Sequence, residues 1–336
     1  MFLHGCATYL LTSLIAALVD GTIRVMTFNT WNAGRNVNDG LRKVAKHIDA
    51  VAPDLVALQD MDSKASLKTL LSHLEHRYMG VTTKAGSPVA ILTKYKYDPH
   101  LIAETKNGIG VRIDVDSWMY IHFWSVQLPF DNYGPHLLFN STGSLSPQDD
   151  IIDREKGRLS VLKEILENQK MKRWLKASKF VSLIVAGDFG SPSHLDWNEE
   201  NKELHRGLTV EWPVTKVMDD ANFIDSYRNL HTDAKVSPGV TWSTIVKTNL
   251  TNPALSEPQD RIDFIFYQGR IIPKKSFTYA GSMVLESEPN HFFAQYSISI
   301  AAIDNDYPSQ RYAVVTEFAE EAWLKTLQLI QWTSKT

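Results

Sequence analysis

Five polar residues fall where apolar runs end or turn: Asn29 after TIRVMTF, Asp60 after LVALQ, Asp188 after VSLIVAG, Asp263 in RIDFIFY and His291 ahead of FFAQYSI. Singly, each is an ordinary cap, turn former or satisfied core group. Together they supply what Mg²⁺- or Mn²⁺-assisted phosphoester hydrolysis requires: hard oxygen ligands, a carboxylate to orient or deprotonate water, and an imidazole that donates to a phosphate oxygen. Zinc chemistry has no comparable support, because the single cysteine, Cys6, lies in the N-terminal apolar segment and no two-His helical spacing is present. Asp188 has the strongest local case. The run Val181 to Ala186, bounded by Gly187 and Pro192, predicts a strand buried on both faces, which places Asp188 where that strand breaks surface. A carboxylate there needs a metal, a His or backbone donors; the alternative is an Asx-turn into Ser191-Pro192.

The elements that must position these residues follow from periodicity. Thr22 to Phe28 alternates as a strand, and Leu41, Val44, Ile48 and Val51 mark a helix capped at Asp39 and stopped by Pro53. A short strand at Leu55 to Leu58, a helix through Leu67, Leu70, Leu71 and Leu74, and a strand at Pro88 to Thr93 come next. Gly110 to Leu128 reads as two antiparallel strands, the second ending at Gln127, and Phe130 to Gln148 as a long loop. One helix is expected from Asp149 to Lys176, a short one from Trp212 to Ala221, an extended stretch at Phe223 to Tyr227, and a turn at Pro238 to Ser243 feeding a strand. Arg261 to Tyr267 and Phe292 to Ile300 read as the last strands. The pattern implies an α/β four-layer α/β/β/α sandwich, two packed, mainly antiparallel sheets flanked by helices. Residues 304–336 read as an extension in which Phe318, Trp323, Leu327 and Ile330 form an amphipathic helix, and residues 22–303 as the domain.

At 336 residues and a formal charge of −3, the chain can bury a large core and does not announce a nucleic-acid binder, although a local basic groove stays open. Ala7 to Val19 has the length of a signal-peptide core, with Val19-Asp20-Gly21 at the cleavage position, so residues 1–21 are expected to be removed and the protein secreted, with no transmembrane span in the mature chain. The leader has no Lys or Arg, which leaves an uncleaved membrane tether as the alternative. Asn140-Ser141-Thr142 and Asn249-Leu250-Thr251 are glycosylation acceptors consistent with secretion.

From about Arg24 to Ala301 the sequence resembles the endonuclease/exonuclease/phosphatase superfamily, whose fold is that of deoxyribonuclease I. VMTFNTWN resembles its first motif, DLVALQDM the motif ending in a metal-binding Glu, GDFGSPSHLDW the Gly-Asp-Phe-Asn motif, DRIDFIF the Ile-Asp-Tyr motif and EPNHFFAQYSI the terminal Ser-Asp-His. The resemblance implies that Asn29 contacts metal-bound phosphate, Asp60 holds Mg²⁺ or Mn²⁺, Asp188 activates water, Asp263 is a metal-side or phosphate-side carboxylate and His291 is the catalytic His. Four positions depart from it. Asp60 replaces Glu, Gln127 stands where a His is expected, Gly190 replaces Asn, and Asn290 replaces Asp. Gln127 cannot carry a proton, and loss of acid–base help costs ~10²–10⁴-fold; Gly190 lacks a side-chain donor, worth about 10²–10³-fold. His194 and Asp196 are candidate accessory groups. The expectation is a catalytically impaired relative that binds a phosphate-bearing ligand or a protein; the alternative is an active Mg²⁺-dependent phosphoesterase with a rewired site. Lys64, Lys68, Arg154 and Lys156 are candidates for a basic rim, and Trp31, Trp197, Trp212 and Trp242 for stacking or packing.

Overall fold

The computed structural model describes residues 22–83, 88–116, 119–136, 148–248, 256–281 and 306–320. The leader, both glycosylation acceptors, Asn290, His291 and the strand expected at 292–300 lie outside them.

Strand β1 (Thr22–Asn29) shows why the chain builds layers. Val25 faces one core while Met26 and Phe28 face another, and in β2 (Leu55–Gln59) Leu55 and Ala57 point one way, Val56 and Leu58 the other. Strands apolar on both faces must be covered on both. The first sheet has the order β12 (Ile271–Tyr279), β13 (Ala313–Glu320), β1, β2, β4 (Ala90–Thr93), β3 (Met79–Thr82). The second runs β10 (Ile224–Asp225), β11 (Asp263–Gln268), β9 (Ser182–Asp188), β8 (Tyr120–Gln127), β7 (Gly108–Asp114), β5 (Lys96–Tyr97), with β6 (Ala103–Thr105) also on β7. Val25, Leu55, Ile91, Val111, Phe123, Ile184, Ile265 and Phe318 interdigitate between the sheets. Helices α1 (Gly40–Val51) and α2 (Lys64–His73) close the outer face of the first sheet through Val44, Ile48, Leu67 and Leu70. Beyond the segment α3 (Gln148–Arg154), helices α4 (Lys156–Glu167), α5 (Gln169–Ala177) and α6 (Pro213–Asp220) close the second through Ile165, Met171, Trp174 and Met218. The result is the expected four-layer α/β sandwich. Each sheet is antiparallel except for one parallel pair, β1 with β2 and β8 with β9. No helix among the described residues is long and apolar enough to cross a membrane.

Four expectations are corrected. The single helix from Asp149 to Lys176 is three helices, because the Asn168 side chain accepts from the Lys170 and Met171 amides and starts a new one. The stretch after Pro238 forms no strand among the described residues, only the isolated bridges Trp242 to Arg311 and Thr248 to Ser256. The tail is not an appended helix throughout: residues 313–320 form β13, whose Phe318 is 1% exposed between the sheets and whose register with β1 runs from Thr22↔Ala319 to Thr27↔Val314. Residues 321–336 lie outside the described residues. Phe223 to Tyr227 splits into β10 and the start of α7 (Ser226–Leu230), capped by the Asp225 carboxylate.

Candidate functional site

Parallel strands present their carboxyl ends together, and a crevice beyond those ends is where α/β folds collect polar groups. Here β1 and β2 bring Asn29 level with Gln59, and β8 and β9 bring Gln127 level with Asp188. The antiparallel strand β11 begins at the same end, so Asp263 faces Asp188 directly in register. A hydrogen bond from Asn29 Nδ2 to Asp188 Oδ2, 3.0 Å, ties one sheet to the other. Gly190 N donates to Asp188 Oδ1 at 3.0 Å. Gln127 grips Asp60 at two points: its Nε2 donates to Asp60 Oδ1 at 2.7 Å and its Oε1 accepts the Asp60 amide at 2.9 Å. Asn29, Asp60, Gln127, Asp188 and Asp263 are therefore gathered at one end of the sandwich.

A residue that sequence reasoning passed over completes the group. Arg311, just ahead of β13, donates from Nη2 to Asp188 Oδ2 at 3.2 Å. Its guanidinium carbon lies 4.3 Å from the Phe130 ring centre and 4.4 Å from that of Trp242, and those two rings are only 4.9 Å apart. The rings therefore sit side by side as a roof over one side of the cation, an arrangement that favours positive charge. Ser309 joins the same strand entry to β1 by donating from Oγ to the Asn29 carbonyl at 2.6 Å. Beneath the roof the centre is closed: Asn29 is 3%, Asp188 1%, Asp263 2% and Arg311 2% exposed.

Burial sets the electrostatics. It raises the Asp188 carboxyl above its usual range, and Arg311 opposes the rise. Burial and then the Asp188 charge push Asp263 up to about 8, and its Oδ2 has no hydrogen-bond partner among the described residues. Both carboxyls are thus harder to ionise than free ones, and one guanidinium faces them.

Comparison with known proteins places this geometry. Uncharacterized protein F14F9.5 of Caenorhabditis elegans is 38% identical over 299 residues, covering 88% of this chain and 91% of its own length. No family model matches. Among solved structures, truncated TDP2 from Caenorhabditis elegans superposes with a TM-score of 0.52 at 14% identity, over 89% of this chain and 97% of the other. Danio rerio TDP2 complexed with single-strand DNA product gives 0.50 at 16% identity, over 89% and 99%. The human Nocturnin catalytic domain with bound sulfate gives 0.50 at 17%, over 89% and 95%. The chain belongs to the family of the nematode protein, on the endonuclease/exonuclease/phosphatase fold.

The residues that enter the last described strand beside Asn29 and Asp188 are Ser309-Gln310-Arg311. An arginine stays protonated and cannot exchange a proton with substrate or water. The donor set also fails to fit a resident divalent ion. Asp188 accepts from Asn29, Gly190 and Arg311, Asp60 has one oxygen held by Gln127, and a fixed cation already faces the carboxylates. Among the described residues no three carboxylate, His or Cys groups converge as a metal site. The Asn29 Oδ1 accepts the Trp31 amide at 2.9 Å.

The other candidates are placed as follows. Gly190, at φ +60°, has no room for the expected Asn, since an added Cβ would lie 2.9 Å from the Pro129 carbonyl oxygen. His194 is not turned to Asp188: its Nδ1 pairs with Thr215 Oγ1 at 2.9 Å. Asp196 is held by Arg228 and Arg261, and neither His194 nor Asp196 is among the hydrogen-bond partners of Asp188. Lys64 and Lys68 are exposed on α2 and Lys156 pairs with Asp153, so the basic residues lie on solvated helix faces. Trp197 and Trp212 are fully buried and pack edge to face.

The roof is anchored from behind by Asp260, which accepts from Tyr133 OH at 2.5 Å and Trp197 Nε1 at 2.9 Å, while Tyr133 packs on Phe130. Burial pushes the Asp260 carboxyl up to about 6, against the lowering effect of those two donors. A carboxyl whose folded pKa is raised favours the folded state below its unfolded pKa, and that contribution disappears as pH rises through the folded value. Stability is therefore expected to fall by up to roughly 3 kcal/mol on this account between pH 4 and pH 6.5. Urea unfolding of wild type and Asp260→Asn across that window checks it: the variant should lose this pH slope, and parallel profiles would refute the assignment.

Proposed function

We propose that this chain is a secreted, catalytically silent member of its fold that acts by binding rather than by phosphoester turnover. The observation that carries the reading is Arg311 on Asp188: the carboxylate that would activate water is buried and ion-paired to a guanidinium that Phe130 and Trp242 cover. Support also comes from Gln127, an amide that cannot move a proton and is engaged with Asp60, and from the missing room at Gly190. Secretion rests on the apolar run from Ala7 to Val19 and the two glycosylation acceptors. A protein partner is preferred over a phosphate-bearing ligand, because a phosphate approaching this centre would meet carboxylates whose one cation is already paired and shielded.

The second reading, an active metal-dependent phosphoesterase, draws on Asn29, Asp188 and Asp263 meeting at the strand ends and on neighbours such as TDP2 with a single-strand DNA product. Hydrolysis of an aryl phosphodiester and of plasmid DNA with Mg²⁺ or Mn²⁺ separates the two, wild type beside Asp188→Asn. The expected result is no difference between them. An active site would lose at least ~10²-fold on this change, and such a loss in a folded variant would establish the enzyme instead.

A further inference from the structure

A buried Arg–carboxylate pair built for stability is commonly bidentate, with two parallel N–H···O bonds. Arg311 is different. A single hydrogen bond of 3.2 Å joins it to Asp188, and its Nε and Nη1, both buried, have no hydrogen-bond partner among the described residues. What fixes the group is charge and the two rings: it lies against the Phe130 and Trp242 roof and beside a pair of facing carboxyls, with Asp60 close enough to raise both of their pKa values. It occupies the centre as a positive charge rather than as a hydrogen-bonding fork.

We propose that the Arg311 guanidinium is the resident cation of this centre, supplying from the protein the charge that a divalent ion would otherwise supply, so that the wild-type centre takes up neither Mg²⁺ nor Mn²⁺. Three features lead there. The guanidinium already lies against Asp188, which faces Asp263 in register. The Asp188 oxygens are already engaged by Asn29, Gly190 and Arg311. A second cation at the same carboxylate would meet like charge held in place by the fold, in surroundings where charges are poorly screened. The inference goes beyond the proposed function, since a metal-independent hydrolase would defeat that reading and leave this one standing.

Removal of the guanidinium should then open the centre to a metal. Mg²⁺ and Mn²⁺ keep several waters and need only one or two carboxylates, so Asp188 and Asp60 suffice once Arg311 is gone. The experiment is Mn²⁺ titration of the full chain followed by electron paramagnetic resonance and thermal unfolding, for wild type, Asp188→Asn, Arg311→Met, Arg311→Lys and Arg311→Met with Asp188→Asn. Wild type and Arg311→Lys, which both keep the charge, should bind no Mn²⁺ at this centre, and neither Mn²⁺ nor EDTA should move their Tm. Arg311→Met should bind one Mn²⁺ per chain with a Tm rise of roughly 4 °C or more at saturation, and adding Asp188→Asn should abolish both. Wild-type Mn²⁺ binding that Asp188→Asn removes would overturn the proposal, and this arm decides it even if Arg311→Met fails to fold. A folded Arg311→Met that binds no Mn²⁺ would overturn it as well.

Discussion

Replacing Arg311 by Met is expected to cost about 3–5 kcal/mol of folding stability, the range seen when one partner of a buried ion pair is removed. The volume is nearly kept, so the loss is mainly electrostatic: Asp188, 1% exposed, would be left facing Asp263 with no cation. The two carboxyls already carry raised pKa values, burial being the first cause for each. Without the guanidinium they would rise further, and Asp188 would take up a proton to survive. The sign follows from linkage. A carboxyl raised further in the folded state stabilises at acid pH and ceases to do so as pH increases, so the deficit of Arg311→Met should be smallest near pH 5 and largest near pH 8. The double variant Arg311→Met, Asp188→Asn removes both charges and should recover part of the loss, with a coupling of roughly 1–3 kcal/mol in a double-mutant cycle. Urea unfolding of the four proteins at both pH values measures all of this. A single-variant cost below about 1 kcal/mol, as for an exposed pair, would show that Arg311 does not hold the centre.

That expectation turns on a residue the sequence did not single out, and the reason is physical. Asp188 was legible because a seven-residue strand apolar on both faces can end in a carboxylate only where partners wait for it. Asn29, Gln127 and Asp263 were legible for the same reason, each lying at an end of a strand with clear alternation. Arg311 was obscured by its neighbours. Phe318, Trp323, Leu327 and Ile330 fit a helical spacing, which drew the alternating AVVTEF run of β13 into the wrong period. The cue that remained was Ser309, two residues ahead of Arg311 and four ahead of that run, where a Ser can tie the strand entry to a neighbouring backbone as it does to Asn29. The roof was illegible for another reason: Phe130 and Trp242 are 112 positions apart and meet only through tertiary folding.

Asp196 shows the opposite case, a residue whose position near Asp188 in sequence suggested chemistry but whose contacts serve the fold. Its carboxylate accepts from Arg228 Nε at 2.9 Å and from Arg261 Nε at 3.1 Å and Nη2 at 3.2 Å. Arg261 also pairs with Asp225, the residue that caps α7. Burial works against charge on both arginines. It lowers the Arg228 pKa below its usual value, whereas Asp196 and Asp225 together hold that of Arg261 above it. Asp196→Ala would strip the buried Arg228 guanidinium of its ion-pair partner and leave Arg261 with Asp225 alone, and the expected cost is again about 3–5 kcal/mol, or roughly 6–15 °C in Tm. Asp196→Asn should fall between, because an amide oxygen can still accept one hydrogen bond without supplying charge. Arg261 sits one residue from Asp260 and two from Asp263, so the damage should spread to the roof: tryptophan fluorescence reporting Trp197 and Trp242 should change with Asp196→Ala even under conditions where the variant remains folded. Were Asp196 an accessory catalytic group, the variant would keep its Tm within about 1 °C and lose only turnover, as surface polar groups do when they are removed. A large Tm loss with no change in any hydrolytic signal is the outcome that fixes Asp196 as the keystone of a buried charge network joining the loop after Asp188 to the strand that carries Asp263.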